Sequence, residues 1–241
     1  MLITFVTIFP EIFPGPLGCS LLGRSLGKLW NLEVVNMRDF ASDKHKTVDD
    51  TPYGGGSGMI MKPNVVHESM SYALSLYENK SKPHIIFMSP RGNTFNQNIA
   101  KELMQENGGR GFIFLCGRYE GIDQRVIDHW IDKYGMIEIS IGDFVVFGGE
   151  VPAILVTEAC LRYLDGVMHN HESVHDESFS GNYLEYSQYT KPSTWNGYDV
   201  PSVLLSGNHK EIAKWRRDDS YRITFDRRVD LIHDATINVS K

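Results

Sequence analysis

The sequence predicts an α/β fold with a mostly parallel sheet covered by helices, followed by a small helical C-terminal domain. Four short apolar runs are of strand type and occupy residues 2–8, 84–88, 111–115 and 136–141. Four stretches of helical pattern alternate with these runs, at residues 65–77, 96–106, 123–131 and 152–164. Such alternation is typical of parallel sheets, because each crossover helix covers one face of the sheet.

The helical and strand patterns stop near residue 165. From there to residue 195, His, Ser, Asn, Tyr and Glu dominate, and a patternless stretch of this length is usually functional or disordered. A helical pattern returns at residues 208–217. We therefore expect a main domain over residues 1–164, a loop or linker over 165–195, and a small helical, basic domain over 196–241.

The composition is typical of a globular protein of a reducing compartment. Of 241 residues, 41% are hydrophobic and 22% are charged, as in ordinary soluble domains. The three cysteines lack Cys-x-x-Cys spacing, which argues against a disulfide framework or a structural zinc site. Pro10 and Glu11 interrupt the apolar N-terminus, and no apolar run reaches membrane-spanning length. We therefore expect a cytoplasmic protein without a signal peptide or a transmembrane helix.

The distribution of charge leaves a local nucleic-acid surface open. The net charge of −6 argues against indiscriminate binding, because nonspecific affinity comes from Lys and Arg that neutralise phosphates. Basic residues nevertheless crowd the C-terminal region, namely Lys210, Lys214, Arg216, Arg217, Arg222, Arg227 and Arg228. Such runs are more often solvated faces than binding surfaces. We interpret Trp195 in the same region as a packing group rather than as a platform for bases.

The most informative motif is Cys-Gly-Arg-Tyr-Glu-Gly-Ile-Asp at residues 116–123, directly after the strand pattern of residues 111–115. Charged and aromatic side chains between two glycines pack poorly in a core, whereas glycine lets the backbone approach a ligand closely. Ligands of open α/β sheets bind at the carboxyl ends of strands. The motif therefore predicts a ligand-binding loop, with a tight strand-to-helix turn as the alternative.

Two other features do not point to a site of their own. The run Gly-Gly-Gly-Ser-Gly at residues 54–58 lacks the Lys-Ser/Thr of a phosphate-binding loop and matches no dinucleotide fingerprint. We expect a hinge or a close-packed turn there. His169, His171 and His175 have neither cysteine neighbours nor helical spacing, so we predict no metal site.

Several motifs together resemble the bacterial tRNA (guanine-N1)-methyltransferases of the knotted SPOUT class. The motif at residues 116–123 is followed by Ser-Ile-Gly-Asp-Phe at 140–144 and by Gly-Gly-Glu-Val-Pro-Ala at 148–153. Further matches lie at residues 5–11, 47–56 and 203–209, so the resemblance covers nearly the whole chain. It implies a deep trefoil knot in the main domain, which no periodicity could predict, and a C-terminal domain that binds tRNA. It also implies a homodimer with a composite active site.

The resemblance implies that S-adenosyl-methionine binds in the knotted loops. Matched residue by residue to the family's motifs, the chain is expected to contact the cofactor through Ser89, Pro90, Gly117, Tyr119, Glu120, Ile141, Gly142, Asp143, Phe144, Val145, Val146, Gly148 and Gly149. Backbone donors and acceptors suit the edges of adenine and ribose, and the glycines permit close approach. The reaction implied is methyl transfer to N1 of the guanosine immediately 3′ of the anticodon.

The resemblance also suggests catalytic residues, with one departure. Guanine N1 carries a proton, so the reaction needs a base, and a cation stabilises the charge that develops on O6. Arg162 matches the family's catalytic arginine. The family's catalytic aspartate directly precedes Ser-Phe, but that place is taken here by Glu177, with Asp176 one residue earlier. Glu177 is the base by alignment, and Asp176 is the alternative. Another SPOUT RNA methyltransferase and a catalytically silent RNA-binding module stay open as alternative functions.

Overall fold

The computed structural model describes residues 1–105, 110–168, 177–179 and 181–232. The chain divides into two compact units, Met1–His169 and Asn170–Lys241. The first unit holds a five-stranded parallel sheet, and the second holds a long helix with a short hairpin. The predicted α/β class with a mostly parallel sheet is confirmed, whereas the knot stays a prediction.

The sheet of the first unit has the strand order β2-β1-β6-β5-β7, and every neighbouring pair is parallel. Its strands are β1 (Leu2–Thr7), β2 (Asn31–Asn36), β5 (His84–Thr94), β6 (Phe112–Cys116) and β7 (Ile137–Ser140). A two-stranded antiparallel ladder joins β3 (Asp49–Asp50) to β4 (Ile60–Met61). All residues of the central strand β6 are buried, as expected of a parallel strand with helices on both faces.

Helices cover both faces of this sheet and bury two hydrophobic clusters. The helices are α1 (Ser20–Ser25), α2 (Pro63–Ser75), α3 (Gln97–Gln105), α4 (Gln124–Tyr134) and α5 (Glu150–Leu161). One cluster lies under α2 and α4 and includes Met70 and Trp130. The other lies under α3 and α5 and includes Leu103 and Val156. Helix α5 is apolar nearly all round, which fits a helix that buries most of its surface.

Two strands of the five-stranded sheet differ from the predicted elements. Strand β2 was not predicted, because its residues are exposed or half-buried at the edge of the sheet, with the exception of Val35. Strand β5 continues to Thr94, well beyond the predicted end at residue 88. Pro90 and Gly92 in this extension read as turn residues, but the strand resumes pairing with β7 after a register shift between Met88 and Asn93.

The second unit is built around one long helix. Its elements are β8 (Thr194–Trp195), β9 (Tyr198–Asp199), α6 (Ser202–Leu205) and α7 (His209–Arg227). The backbone N–H of Leu184 donates to the Thr224 hydroxyl at 2.9 Å, and that of Ser187 donates to the Asp219 carboxylate at 2.8 Å. Part of the predicted linker over residues 165–195 is therefore fastened to α7. Burial raises the pKa of Asp219, but hydrogen bonds from Ser187 and Arg222 outweigh this effect and lower it.

A buried tyrosine at the end of α2 ties that helix to two strands. The Tyr77 hydroxyl donates to the Phe112 carbonyl at 2.8 Å and lies 3.1 Å from both the Leu2 carbonyl and the Thr4 hydroxyl. Burial of the hydroxyl raises the pKa of Tyr77 well above its usual value. The side chain therefore remains a neutral donor and joins β1 and β6 at their N-terminal ends.

We predict that Tyr77→Phe lowers the free energy of unfolding by about 1–2 kcal/mol, because it leaves buried hydrogen-bonding groups without a partner. Tyr72→Phe is the matched control, since Tyr72 lies on α2 with its side chain half exposed. Urea denaturation followed by circular dichroism measures both variants. Equal losses in the two variants would contradict the role assigned to the Tyr77 hydroxyl.

Candidate functional site

A cavity of about 220 Å³ opens at the carboxyl ends of β5, β6 and β7. Its wall consists of residues 87–90 at the bend of β5, residues 117–121 after β6, and residues 139–141, 144–149 and 152 from β7 to the start of α5. Three neighbouring strands therefore deliver their following segments to one place. This is the position at which open α/β sheets bind ligands.

Two loops of this wall meet at a backbone contact that only glycine permits. The Gly149 N–H donates to the Gly117 carbonyl at 2.9 Å. A Cβ atom on Gly149 would lie 2.8 Å from the Cα of Cys116, a distance that a real side chain does not tolerate. The start of α5 therefore lies directly against the end of β6.

The conformation of the loop that follows β6 is fixed by its own backbone and by hydrogen bonds to the segment that contains β4. Tyr119 has φ of 58°, a left-handed conformation that is uncommon for a residue with a side chain and is often found at ligand sites. The Glu120 N–H donates to the Met59 carbonyl at 3.0 Å, and the Met61 N–H donates to the Gly121 carbonyl at 2.9 Å. These bonds fix the loop against the segment that follows the glycine run.

The glycine run at residues 54–58 packs against the wall residue Glu120 through its last member. A Cβ on Gly58 would lie 2.3 Å from the Glu120 side chain, so Gly58 is a close-packed position. Gly54, Gly55 and Gly56 have open space around them and positive φ angles. The run therefore combines a packed turn at its end with a loose turn at its beginning.

An ion pair lies behind the cavity wall. Glu150, the first residue of α5, is 0% exposed and accepts hydrogen bonds from the Thr7 hydroxyl at 2.6 Å and from Arg118 Nε at 2.8 Å. The Arg118 guanidinium also lies 4.4 Å from the centre of the Phe9 ring. Burial, with a smaller contribution from the Glu150 charge, raises the pKa of the neighbouring Cys116 thiol, which is therefore no nucleophile at neutral pH.

Apolar side chains crowd the outer side of the cavity. Phe144, Val145, Val146 and Phe147 are all exposed, and Phe147 reaches 97% exposure. Exposed apolar groups of this density usually mark a surface that a ligand or a protein covers. The loop from β7 to α5 therefore serves both as cavity wall and as an uncovered apolar surface.

Comparison with known proteins places the chain in a family. A family model described as tRNA (Guanine-1)-methyltransferase TrmD matches residues 1–234. The chain belongs to this family. A tRNA (guanine-N(1)-)-methyltransferase of Wolbachia pipientis subsp. Culex pipiens is 52% identical over 234 residues, which cover 96% of this chain and 97% of the relative. The protein of the same description from Ehrlichia ruminantium (strain Gardel) is 49% identical over 97% of this chain and 96% of its own length. That from Rickettsia akari is 47% identical over 96% of this chain and 97% of its own length.

Most of the residues assigned from the resemblance to tRNA (guanine-1)-methyltransferases lie around this one cavity. Those in its wall are Ser89, Pro90, Gly117, Tyr119, Glu120, Ile141, Phe144, Val145, Val146, Gly148 and Gly149. Gly142 and Asp143 belong to the same loop but not to the wall. Gly142 has φ of 136°, and a Cβ there would lie 2.9 Å from the Phe144 ring, so it shapes the loop that carries Phe144.

The residues assigned to catalysis are distributed over the two units. Arg162 is exposed and ends α5 in the first unit. Glu177 belongs to the second unit, where it lines a cleft of about 600 Å³ together with His209, Arg216 and Arg217 of α7. Asp176, the alternative base, lies outside the described residues, as do His169, His171 and His175.

Sequence reasoning assigned no role to two charged residues of the site. Arg118 lies within the motif at residues 116–123, and Glu150 lies within the Gly-Gly-Glu motif, but the two are 32 positions apart. The one sequence signal for Glu150 was its position at the start of an otherwise apolar helix. A charged residue in such a place is buried only when it has a partner, so it indicates a buried ion pair.

Two kinds of feature are absent from the described residues. No helix in the described ranges is long and apolar enough to cross a bilayer. Within the same ranges, no three His, Cys, Asp or Glu side chains are grouped so as to hold a metal ion.

We predict that Gly149→Ala lowers the free energy of unfolding by about 1–3 kcal/mol, the usual cost of overpacking. Its φ of −77° suits alanine, so the loss is steric. Gly117→Ala is the control from the same cavity, because a Cβ there would meet only the Phe87 and Ile122 side chains at 3.3–3.5 Å. Denaturant titration measures the free energy of unfolding of both variants. A larger loss in Gly117→Ala than in Gly149→Ala would contradict the close approach assigned to Gly149.

Proposed function

We propose that this protein transfers the methyl group of S-adenosyl-methionine to N1 of the guanosine immediately 3′ of the anticodon in tRNA. The observation that carries the proposal is the glycine-walled cavity at the carboxyl ends of β5, β6 and β7, in a chain whose whole length matches tRNA (guanine-1)-methyltransferases. The relatives are named for N1 methylation of guanine in tRNA.

The residues of the cavity suit S-adenosyl-methionine. Gly148 and Gly149 let the loop pack tightly, because a Cβ there would clash with Arg118 or with the backbone of Cys116. The wall combines apolar side chains with the backbone of residues 117–121 and 144–149. Apolar walls with a few backbone donors and acceptors are typical of nucleoside pockets. When bound, the cofactor supplies an electrophilic methyl group on a positively charged sulfur.

The proposed chemistry requires one base and one cation. The Glu177 carboxylate would take the N1 proton, which leaves the N1 lone pair free to accept the methyl group. The Arg162 guanidinium stabilises the charge that develops on O6. The products are N1-methylguanosine and neutral S-adenosyl-homocysteine, and the proton remains on the carboxyl group until solvent removes it.

We further propose a homodimer in which one subunit's cavity is completed by the other subunit's catalytic segment. Val151 and Leu155 are 61% and 46% exposed on α5, and helical spacing places Arg162 on the same face. An exposed apolar face next to Phe147 fits a surface that a second copy covers. Sedimentation velocity that shows a monomer at assay concentration would contradict the dimer.

The three parts of the chain have separate roles in this proposal. Residues 1–164 bind the cofactor, residues 165–195 carry the base, and residues 196–241 bind tRNA in the cytoplasm. Lys210, Lys214 and Arg217 recur at spacings of four and three on α7 and are exposed, so they lie along one side of that helix. A basic stripe of this kind suits the tRNA phosphates.

The proposed function is tested with two transcripts of an unmodified tRNA that carries guanosine 3′ of the anticodon. We expect calorimetric binding of S-adenosyl-methionine and methyl transfer to this transcript, but no transfer when that guanosine is replaced by adenosine. Methylation of both transcripts would indicate another RNA position. Cofactor binding without turnover on either transcript would indicate a silent RNA-binding module.

The assignment of the base is tested by two isosteric substitutions. We predict that Glu177→Gln lowers the single-turnover rate about 10²–10⁴-fold, the usual cost of losing a general base, whereas Asp176→Asn lowers it much less. Affinity for the cofactor should be nearly unchanged in both. The deficit of Glu177→Gln should shrink as pH rises, because guanine N1 then loses its proton more readily. The reverse order of the two rates would assign the base to Asp176.

A further inference from the structure

The buried ion pair behind the cavity has an asymmetric arrangement. Arg118 contributes to the cavity wall, whereas Glu150 lies behind that wall and is fully buried. The Glu150 carboxylate accepts from Arg118 Nε at 2.8 Å and from the Thr7 hydroxyl at 2.6 Å. The cavity therefore presents a guanidinium whose charge is balanced from the protein side.

Retaining charges at this place has a physical cost. Removing a carboxylate and a guanidinium from water is expensive, and apolar residues of similar volume often replace a buried pair without loss of stability. The other contacts of Arg118 are the Phe9 ring at 4.4 Å and the Phe147 carbonyl at 3.4 Å from Nη1. Neither contact neutralises the guanidinium. The charge balance of this part of the wall consequently depends on Glu150.

We infer that Glu150 is a positioning and charge-balancing residue that allows the cavity to accept a cationic ligand. Glu150 holds Arg118 against the end of β6 and cancels its positive charge, so that a sulfonium is not repelled. The inference rests on the proposed function, in which the cofactor is S-adenosyl-methionine. It concerns the net charge of the wall and assigns Glu150 no contact with the ligand.

The test compares two ligands that differ by one methyl group and one positive charge, S-adenosyl-methionine and the neutral product S-adenosyl-homocysteine. Glu150→Gln leaves Arg118 unbalanced. We expect the ratio of the dissociation constants, cofactor over product, to rise about tenfold, because an unbalanced unit charge in the cavity wall repels the sulfonium but not the neutral product. If Glu150 had only a structural role, the substitution would weaken the binding of both ligands equally and leave the ratio unchanged.

Two further variants separate charge from packing. In the double variant Glu150→Gln, Arg118→Met both charges are absent, so we expect the ratio to return to the wild-type value even where both affinities are lower. Asp123→Asn is the matched control. Asp123 pairs with Arg125 at 2.7 Å beside the same loop, but Arg125 is exposed to solvent, so removal of this carboxylate should leave the ratio unchanged.

The outcomes distinguish this inference from the proposed function. A wild-type protein that binds neither ligand would overturn the proposed function. A wild-type protein that binds both, with an unchanged ratio in Glu150→Gln, would overturn only the role of Glu150. If Glu150→Gln does not fold, Arg118→Met gives the opposite test, because the carboxylate of Glu150 is then retained without its cation and should shift the ratio toward S-adenosyl-methionine. An unshifted ratio there would equally overturn the inference.

Discussion

The cavity depends on the close approach of two loops that are far apart in sequence. The Gly149 N–H reaches the Gly117 carbonyl because Gly149 has no side chain to separate the start of α5 from the end of β6. Directly behind this contact, Glu150 joins Arg118 and Thr7, and so connects α5 to the segment after β6 and to the last residue of β1. The position of residues 144–148 follows from this junction, since they lead into it.

This junction illustrates how a site can be stabilised by groups that are expensive to bury. Most of the first unit is held by two apolar clusters on either face of the sheet, and those clusters alone would not favour a glutamate at the start of α5. Loss of either member of a buried pair costs about 3–5 kcal/mol, although apolar replacement of both is often neutral. The pair is therefore better explained by what it does for the cavity than by its contribution to stability.

The sequence predicted the parts of the fold that periodicity and glycine spacing determine. The buried strand β6, the helices α2 to α5 and the ligand loop after β6 all follow from local patterns. Strand β2 lies at a half-buried edge, and the extension of β5 through Gly92 depends on pairing with β7, so neither has a local signal.

Trp195 was interpreted as a packing group, and this was wrong: it is 65% exposed, because its two-residue strand pairs only with β9. The Arg118–Glu150 pair is a long-range contact that single-residue reasoning does not reveal.

Helix α5 connects features that would otherwise be independent. Its first residue, Glu150, belongs to the buried junction, its middle residues Ala153 and Val156 pack in the core, and its end at Arg162 is exposed. Because a helix is stiff over this length, a displacement at Glu150 also moves the exposed face that carries Val151 and Leu155. If that face is covered by a second copy, as proposed, the cavity of one subunit and the surface on which the dimer forms are set by the same rigid element. The proposed composite active site would then require no separate element to align the cofactor loops with the partner, since α5 fixes both.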